Sequence, residues 1–439
     1  MKMRVPDAMM VSLQESGGIP ATAAVVAVFR GQAPTLEHLR DRVQNRLAPV
    51  TRLRLHLDTD DAGKLRPPYS WRTAEHLEAA RHVVLDRLCG GQRLQEALAD
   101  LIGRAMPDAP GDPLWQLRVV QDTSTQRFAL VLRVHHALLD GTSAYTVLRL
   151  LSDERPGVTW PASEDLKAEP VTGAGLRTVA HAVTGLLRRT GRYPCNKPVD
   201  EGRNIVLQDI HADVMGAARN ALPEGRTSPN DVFLAAFGAA LHACPAPLGD
   251  APRLDRVYAA VPVDVRGPRT PYAMGNYVSA VRVRVPLETA DPYVRLREVR
   301  GQMQENKRLR RAEGLARLTD CAAGLGAIGT KVLAHRLFGG RSPATFACTF
   351  PRWGFDPLVL DGCMAESVFA VPNLSPRMGF IAALSQYAER LSLCLTSDDA
   401  HLPYLRPLAD AFVSEMHALA LRGSRRTTGP GSKPHETKH

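Results

Sequence analysis

The sequence predicts an α/β protein built as two sandwich lobes, and three observations carry that reading. Segments of strand period and helix period mix irregularly through both halves of the chain, the pattern of mixed sheets flanked by helices. A stretch from Asp153 to Thr172, dense in Pro, Glu, Asp and Gly, interrupts the pattern once and reads as the connection between the halves. At 439 residues and 44% hydrophobic content, the chain can bury a large core on each side of that connection. The expected organisation is a first lobe over residues 1–172, a second over 173–424, and a disordered tail over 425–439.

Ala21 to Phe29 is a Val-rich apolar run and reads as a buried strand. Leu36, Leu39, Val43 and Leu47 share one face at helical spacing, so a helix is expected from Leu36 to Leu47. Leu53, Leu55 and Leu57 alternate with Arg54 and His56 as in a half-buried strand. Helical spacing returns from Leu94 to Ile102. Leu117 to Val120 and Phe128 to His136 read as strands, and Ser143 to Leu151 as a helix. In the second half, Gly175 to Arg192 has the pattern of a basic amphipathic helix. Ser228-Pro229-Asn230-Asp231 is a helix start, because Ser caps, Pro suits the first helical position and the acid answers the cap; that helix should reach about His242. Arg256 to Val265 and Tyr277 to Val285 read as strands, and Arg282 and Arg284 give the second one a wet face. Val294 to Arg311 is a strongly basic helix. Phe380 to Tyr387 and Leu391 to Thr396 form a hairpin. Tyr404 to Leu421 closes the chain as a helix with Leu408, Phe412, Met416 and Leu419 on one face.

Composition narrows the partners. The formal net charge of +10 favours anionic ones. Aromatic residues make up only 5% and are not interleaved with basic runs, so nucleic acid is set aside. The 7 cysteines are scattered without a Cys-x-x-Cys pair, which reads as reduced thiols in a cytoplasm. Met1 to Met10 carries charges with no apolar run behind them to make a signal peptide. No apolar stretch approaches transmembrane length, so the expected localisation is cytoplasmic, with any membrane contact peripheral and on the inner face. The basic helix, with Arg295, Arg297, Arg300, Lys307, Arg308, Arg310 and Arg311, is either a solvated face or an attractor for coenzyme phosphates or anionic lipid.

One familiar signal fails on context. Gly324-Leu325-Gly326-Ala327-Ile328-Gly329 matches a dinucleotide fingerprint, but Glu313 to Ala323 before it reads as helix where that motif needs a strand. A close-packed small-residue helix or loop is the plainer reading. No Gly-x-Ser-x-Gly elbow and no metal-ligand spacing among His, Asp and Glu is found, so neither a metal nor another cofactor is expected.

Chemistry concentrates in Val134-His135-His136-Ala137-Leu138-Leu139-Asp140-Gly141. Period two places His136 on the strand face of Phe128, Leu130, Leu132 and Val134, and His135 on the other. A neutral imidazole at a strand end is a natural general base. Asp140 suits the N-terminus of the next helix and can turn back to brace the loop, with Gly141 permitting a tight backbone. Adjacent histidines on a strand are most often plain core or surface residues. The full His-His-x-x-x-Asp-Gly pattern between an apolar strand and a helix lifts this pair above that background.

The segment resembles the signature of the CoA-dependent acyltransferase superfamily, which includes chloramphenicol acetyltransferase and the condensation domains of peptide synthetases. Further stretches resemble one branch, the bacterial wax ester synthase/diacylglycerol acyltransferase family: Pro113-Leu114-Trp115, Asn230-Asp231-Val232, Pro262-Val263-Asp264-Val265-Arg266, Met274-Gly275-Asn276-Tyr277-Val278-Ser279, and Asp291-Pro292. The order holds from about Asp7 to Leu421. The resemblance implies two chloramphenicol acetyltransferase-like lobes with a tunnel between them, the thioester entering from one face and the acceptor from the other. It implies acyl transfer from acyl-CoA, or from an acyl carrier protein, to an alcohol or amine, without a covalent intermediate. His136 would take the proton of the acceptor hydroxyl beside His135. Asp140 would be structural, paired with Arg266, and Asn230, Asn276 and Ser279 would line the tunnel. Coenzyme A is then a substrate and no cofactor is needed. Two alternatives are a specialised-metabolite condensation enzyme fed by a carrier protein, and a non-catalytic lipid-surface-binding relative. The chain departs from the family in two places. Cys348-Thr349-Phe350-Pro351-Arg352-Trp353-Gly354 stands where Asn-x-Pro-Gly-Pro is usual, and Ala21-Thr22 stands where a Met-His pair is usual. A changed acceptor pocket is expected from the first.

Overall fold

The computed structural model describes residues 1–427 except 2, 60–68, 89–91, 108–110, 154–174, 187–188, 250–253, 268–269, 323–328, 330–331, 333–343, 354–355 and 400–401. The expected inter-lobe connection beyond Asp153, most of the glycine motif from Gly324 and the tail from 428 lie outside those residues.

The first half begins with α1 (Val5–Gly17), β1 (Thr22–Arg30), α2 (Leu36–Leu47), β2 (Leu55–Leu57), β3 (Trp71–Thr73), α3 (Ala79–His82) and β4 (Val83–Arg87). It continues through α4 (Leu94–Gly103), β5 (Trp115–Asp122), β6 (Arg127–His135) and α5 (Gly141–Leu151). The second half runs α6 (Leu176–Leu186), β7 (Asn204–His211), α7 (Ala212–Ala218), α8 (Pro229–Ala243), β8 (Tyr258–Asp264), β9 (Val278–Arg284), α9 (Pro292–Arg308) and α10 (Arg311–Ala322). It ends with β10 (Phe346–Thr349), β11 (Val359–Leu360), β12 (Cys363–Val371), β13 (Phe380–Tyr387), β14 (Arg390–Ser397) and α11 (Leu402–Thr427).

Two six-stranded mixed sheets carry the architecture, in the orders β11-β12-β1-β6-β5-β4 and β7-β14-β13-β10-β8-β9. The apolar runs predicted as strands sit at their centres. β1 and β6 pair antiparallel with Val25 opposite Leu132 and Val26 opposite Val131, all buried. Burying each such side chain contributes about 1.5–3 kcal/mol, so a charge at Val26 or Val131 would break the sheet. Two main hydrophobic cores result, and Leu207, Ala383 and Cys394 of the second sheet reach into the core of the first.

One expectation about organisation is corrected. The first sheet is not made of residues 1–172 alone, because β11 and β12 cross over from the second half and β12 pairs with β1, Ala24 lying opposite Val371. Glu366 and Ser367 interrupt the apolar pattern of that strand, which hides it in the sequence.

Local expectations hold where side chains act on their own neighbours. α2 spans the residues predicted for it, with Leu39, Val43 and Leu47 buried. Ser228 Oγ accepts the Asp231 N–H at 3.2 Å and the Asp231 carboxylate accepts the Ser228 N–H at 2.9 Å, closing the capping box that starts α8. From Asp231 to Leu241 that helix is buried on every side.

Tertiary contacts change other boundaries. Leu53 belongs to a 3₁₀ turn over Thr51–Arg54, where Arg54 donates to the carbonyls of Ala74 and Glu75 at 3.0 and 2.8 Å. The basic helix is two helices, broken where Arg310 takes φ 50°. Arg295 within it is buried and donates to the carbonyls of Pro286 and Thr289, so it faces no solvent. The closing helix runs on to Thr427, so residues 425–427, expected in the tail, are helical. Gly423 lets those last turns close on α7, since a Cβ there would strike the Ala217 carbonyl. The N-terminal segment, for which the sequence predicts no element, is α1.

Candidate active site

β6 delivers the histidine pair to the end of the first sheet. The strand stops at His135, one residue short of expectation, and His136 opens the turn that follows. The His135 N–H donates to the Leu114 carbonyl at 2.8 Å and the His136 N–H to the Ala21 carbonyl at 2.7 Å. The residues that lead into β5 and β1 therefore fix the main chain of both histidines.

The rings part company. His135 Nδ1 accepts the Ala137 N–H at 3.1 Å, and burial, aided by the nearby His136, pushes its pKa down to about 4. His136 stands in the wall of a cavity of about 630 Å³ lined from both sheets. Burial lowers its pKa, while the charges of Asp140 and Asp7 pull the other way. The net depression keeps the imidazole neutral, and so able to accept a proton, at pH 7.

Asp140 does not line the cavity. It caps α5, its Oδ1 accepting the Ser143 N–H at 2.9 Å. Its Oδ2 accepts the Tyr277 N–H at 2.8 Å, and Arg266 Nη2 donates to both carboxylate oxygens at 2.8 Å. The Arg266 and Asp140 side chains are 3% and 0% exposed. Arg266 also donates to Asp264 Oδ2 at 3.0 Å and to the Ala273 carbonyl at 2.9 Å. Despite burial, these partners hold Asp140 below the usual carboxylate range. The pair thus ties the turn after His136 to the second lobe.

Gly141 corrects an expectation. Its φ is not positive, so the turn places no demand on glycine; a Cβ there would meet Trp353 at an ordinary 3.8 Å. Left-handed geometry falls instead on Gly275, at φ 146°, whose carbonyl accepts the Asp140 N–H at 3.0 Å. Asn230, Asn276 and Ser279 line the cavity. Asn276 Nδ2 donates to the His136 carbonyl at 3.3 Å, and Ser279 Oγ spends its proton on the Ala312 carbonyl at 2.6 Å.

Sequence reasoning missed a second brace. Arg52 donates to the carbonyls of Ala137 and Leu138 at 2.9 and 2.8 Å, and pairs at 2.8 Å with Asp7, which is fully buried on α1. A lone acid inside an apolar segment was the available signal. The segment that departs from the family pattern also reaches the site: Phe350, Pro351, Arg352 and Trp353 line the cavity, and Trp353 stacks on Tyr145 at 4.8 Å.

Among the described residues, no three His, Cys, Asp or Glu side chains converge to hold a metal ion.

Residues 5–220 match the model of the wax ester synthase/diacylglycerol acyltransferase catalytic domain, and residues 274–420 match that of the family's C-terminal domain. A probable diacylglycerol O-acyltransferase of Mycobacterium tuberculosis is 27% identical over 313 residues, 64% of this chain and 65% of the relative. The match thus spans just under two thirds of that relative's length. A second, putative diacylglycerol O-acyltransferase of the same species is 24% identical over 85% of this chain and 80% of its own. Among solved structures, the wax ester synthase/diacylglycerol acyltransferase from Marinobacter aquaeolei VT8 superposes with a TM-score of 0.69 at 20% identity, covering 97% of this chain and 100% of that one. The first condensation domain of the calcium-dependent antibiotic synthetase follows at 0.67 and 16%, covering 95% and 96%, and shares the fold. With both family models matched in order and the same two-lobed fold, the chain belongs to the wax ester synthase/diacylglycerol acyltransferase family.

Proposed function

We propose that this chain transfers the acyl group of an acyl-CoA to an alcohol, giving an ester and free coenzyme A, with His136 as general base. The observation that carries the proposal is a buried imidazole, its pKa depressed by burial, in the wall of a cavity between two lobes, on a main chain fixed by the Ala21 carbonyl and the Asn276 side chain. Family membership supports the reaction class. His136 takes the acceptor hydroxyl proton as the oxygen attacks the thioester carbonyl. The tetrahedral intermediate collapses, the C–S bond breaks, and the departing thiolate takes the proton from His136. No acyl-enzyme forms, and neither a metal nor a nicotinamide takes part. The Asp140–Arg266 and Asp7–Arg52 pairs position the turn without touching substrate.

Incubating purified protein with a panel of acyl-CoAs and alcohols, with and without chelator, tests this by mass spectrometry. Ester and free coenzyme A should appear in equal amounts in both arms. Ester formed only from carrier-protein thioesters would replace the donor, and loss of turnover with chelator would overturn the metal-free mechanism. No ester from any donor would leave a non-catalytic lipid-binding relative.

No helix among the described residues is long and apolar enough to cross a membrane. Contact with a membrane is proposed as peripheral, through α6, where Leu176, Arg177 and Val183 are exposed, with Arg189 exposed beyond the helix.

A further inference from the structure

The cavity wall is apolar along α1 and α10, where Met9, Met10, Leu13 and Leu315 face it. Against that wall stand Arg4, Tyr277 and Asp320, which leave hydrogen-bonding capacity unused among the described residues. Arg4, just before α1, lies with its guanidinium carbon 4.1 Å from the centre of the Tyr277 ring. Its Nη1 is buried and, among the described residues, has no partner. Tyr277 is 2% exposed, and its hydroxyl is also buried and unpartnered. Asp320, in the last turn of α10, makes no hydrogen bond or ion pair among the described residues; its charge feels Arg4, and burial raises its pKa. A carboxylate at a helix C-terminus opposes the dipole there, and of the two cations that favour its charge, Arg317 lies three residues before it on α10 and Arg4 lies across the cavity. All three line the same cavity as His136. Tyr277 follows Asn276, whose side chain is bonded to the His136 carbonyl, and the Tyr277 N–H is held by Asp140.

Buried polar groups without partners, as Arg4 Nη1 and the Tyr277 hydroxyl are, are costly and uncommon; in a cavity, beside the half-buried carboxylate of Asp320, they point to a ligand that completes them. A hydrocarbon chain or a bare alkyl alcohol supplies nothing for them. Arg4 donates, an ionised Asp320 accepts and Tyr277 does both, so the matching ligand carries donors and acceptors together. The cation and the anion balance, which favours a neutral ligand. Neighbouring hydroxyls meet that description, since two O–H groups can share one carboxylate while their oxygens accept from guanidinium and phenol.

We propose that Arg4, Tyr277 and Asp320 form a head-group subsite for a neutral polyhydroxylated acceptor, which presents one hydroxyl to His136 and binds the others here. The subsite rests on the acyltransferase reading given above and names its acceptor class.

Two acceptors of equal chain length separate the possibilities: 1-decanol and 1-O-decylglycerol, with one acyl-CoA donor. The glycerol ether should show the higher kcat/KM by about 10-fold or more, the scale of one charge-assisted hydrogen bond. Asp320→Asn and Tyr277→Phe should each shrink that preference by about 10-fold, chiefly through KM, with melting temperatures near that of the parent. Equal use of both acceptors, or a preference untouched by Asp320→Asn, would overturn the subsite and leave the acyltransferase reading standing. Calorimetric binding of the same pair to His136→Ala separates the two claims. Tighter binding of the glycerol ether without turnover in the parent protein supports the subsite and sinks the reaction, while equal binding sinks the subsite.

Discussion

Cutting the Asp140–Arg266 pair from either side has an effect that can be worked from the geometry. Among the described residues, Asp140→Ala removes both carboxylate partners of Arg266 Nη2 and leaves the guanidinium with Ser143 Oγ, Asp264 and the Ala273 carbonyl. It also orphans the N–H groups of Ser143 and Tyr277. Removing one member of a buried pair typically costs about 3–5 kcal/mol, and Asp264 keeps this case near the lower end. The lost cap alone accounts for about 1 kcal/mol of that. Arg266→Ala leaves a buried carboxylate on two N–H donors, so a similar loss is expected. The double variant buries neither charge alone, and its loss should fall short of the sum of the singles by about 1–3 kcal/mol. Urea unfolding of the parent, both singles and the double measures the coupling, with the slope checked for constancy. Losses additive within about 0.5 kcal/mol would refute the brace while leaving His136 as the base.

His136→Ala should lower turnover by about 100- to 10,000-fold with little change in melting temperature, whereas His135→Ala should lower the melting temperature first; the reverse pattern in a paired assay sinks the assignment. The His136 pKa is depressed, so the neutral base persists as pH falls, and the acid limb of kcat/KM should lie below the ordinary histidine value of about 6.5; an acid limb above it contradicts the burial argument. His135 and His82 are both pushed down to about 4, so the unfolded chain takes up protons that the fold refuses. Stability should be full above pH 6.5 and fall between there and pH 4, and a melting temperature flat across that window would refute it. Arg52→Ala strands Asp7 and frees the carbonyls of Ala137 and Leu138; Asp7→Ala added to it should restore melting temperature but not turnover, and restored turnover would deny Arg52 its positioning role. Vesicles of anionic lipid should bind the protein at low salt and release it at high salt, each basic residue contributing about 1 kcal/mol within a Debye length; absence of co-sedimentation at low salt removes α6 as a membrane face.

Much of this was legible because it depends on neighbours in the chain. The apolar run of β6, the spacing of α2 and the Ser228–Asp231 box each act within a few residues, and a one-dimensional pattern records them. The histidine pair was legible for the same reason: its strand, turn and helix are contiguous. The pairing of Asp140 with Arg266 followed from the family resemblance, and both residues sit in motifs that can be read from sequence.

What crosses the chain was not legible. Nothing in Cys363–Val371 announces that it joins β1 in the other lobe, because pairing between distant strands leaves no local period. α1 escaped notice because Asp7 breaks its apolar face, and only the position of Arg52 explains a buried acid there. Arg295 looked like one more surface cation until the carbonyls of Pro286 and Thr289 closed around it. By itself the sequence determined the family, the two-lobed class and the histidine that lines the cavity. The tertiary structure alone decided which strands cross, which charges are buried in pairs and which polar groups are left open in the cavity. Burial and pairing across long chain separations depend on where the whole chain closes, and a local pattern carries no record of that closure.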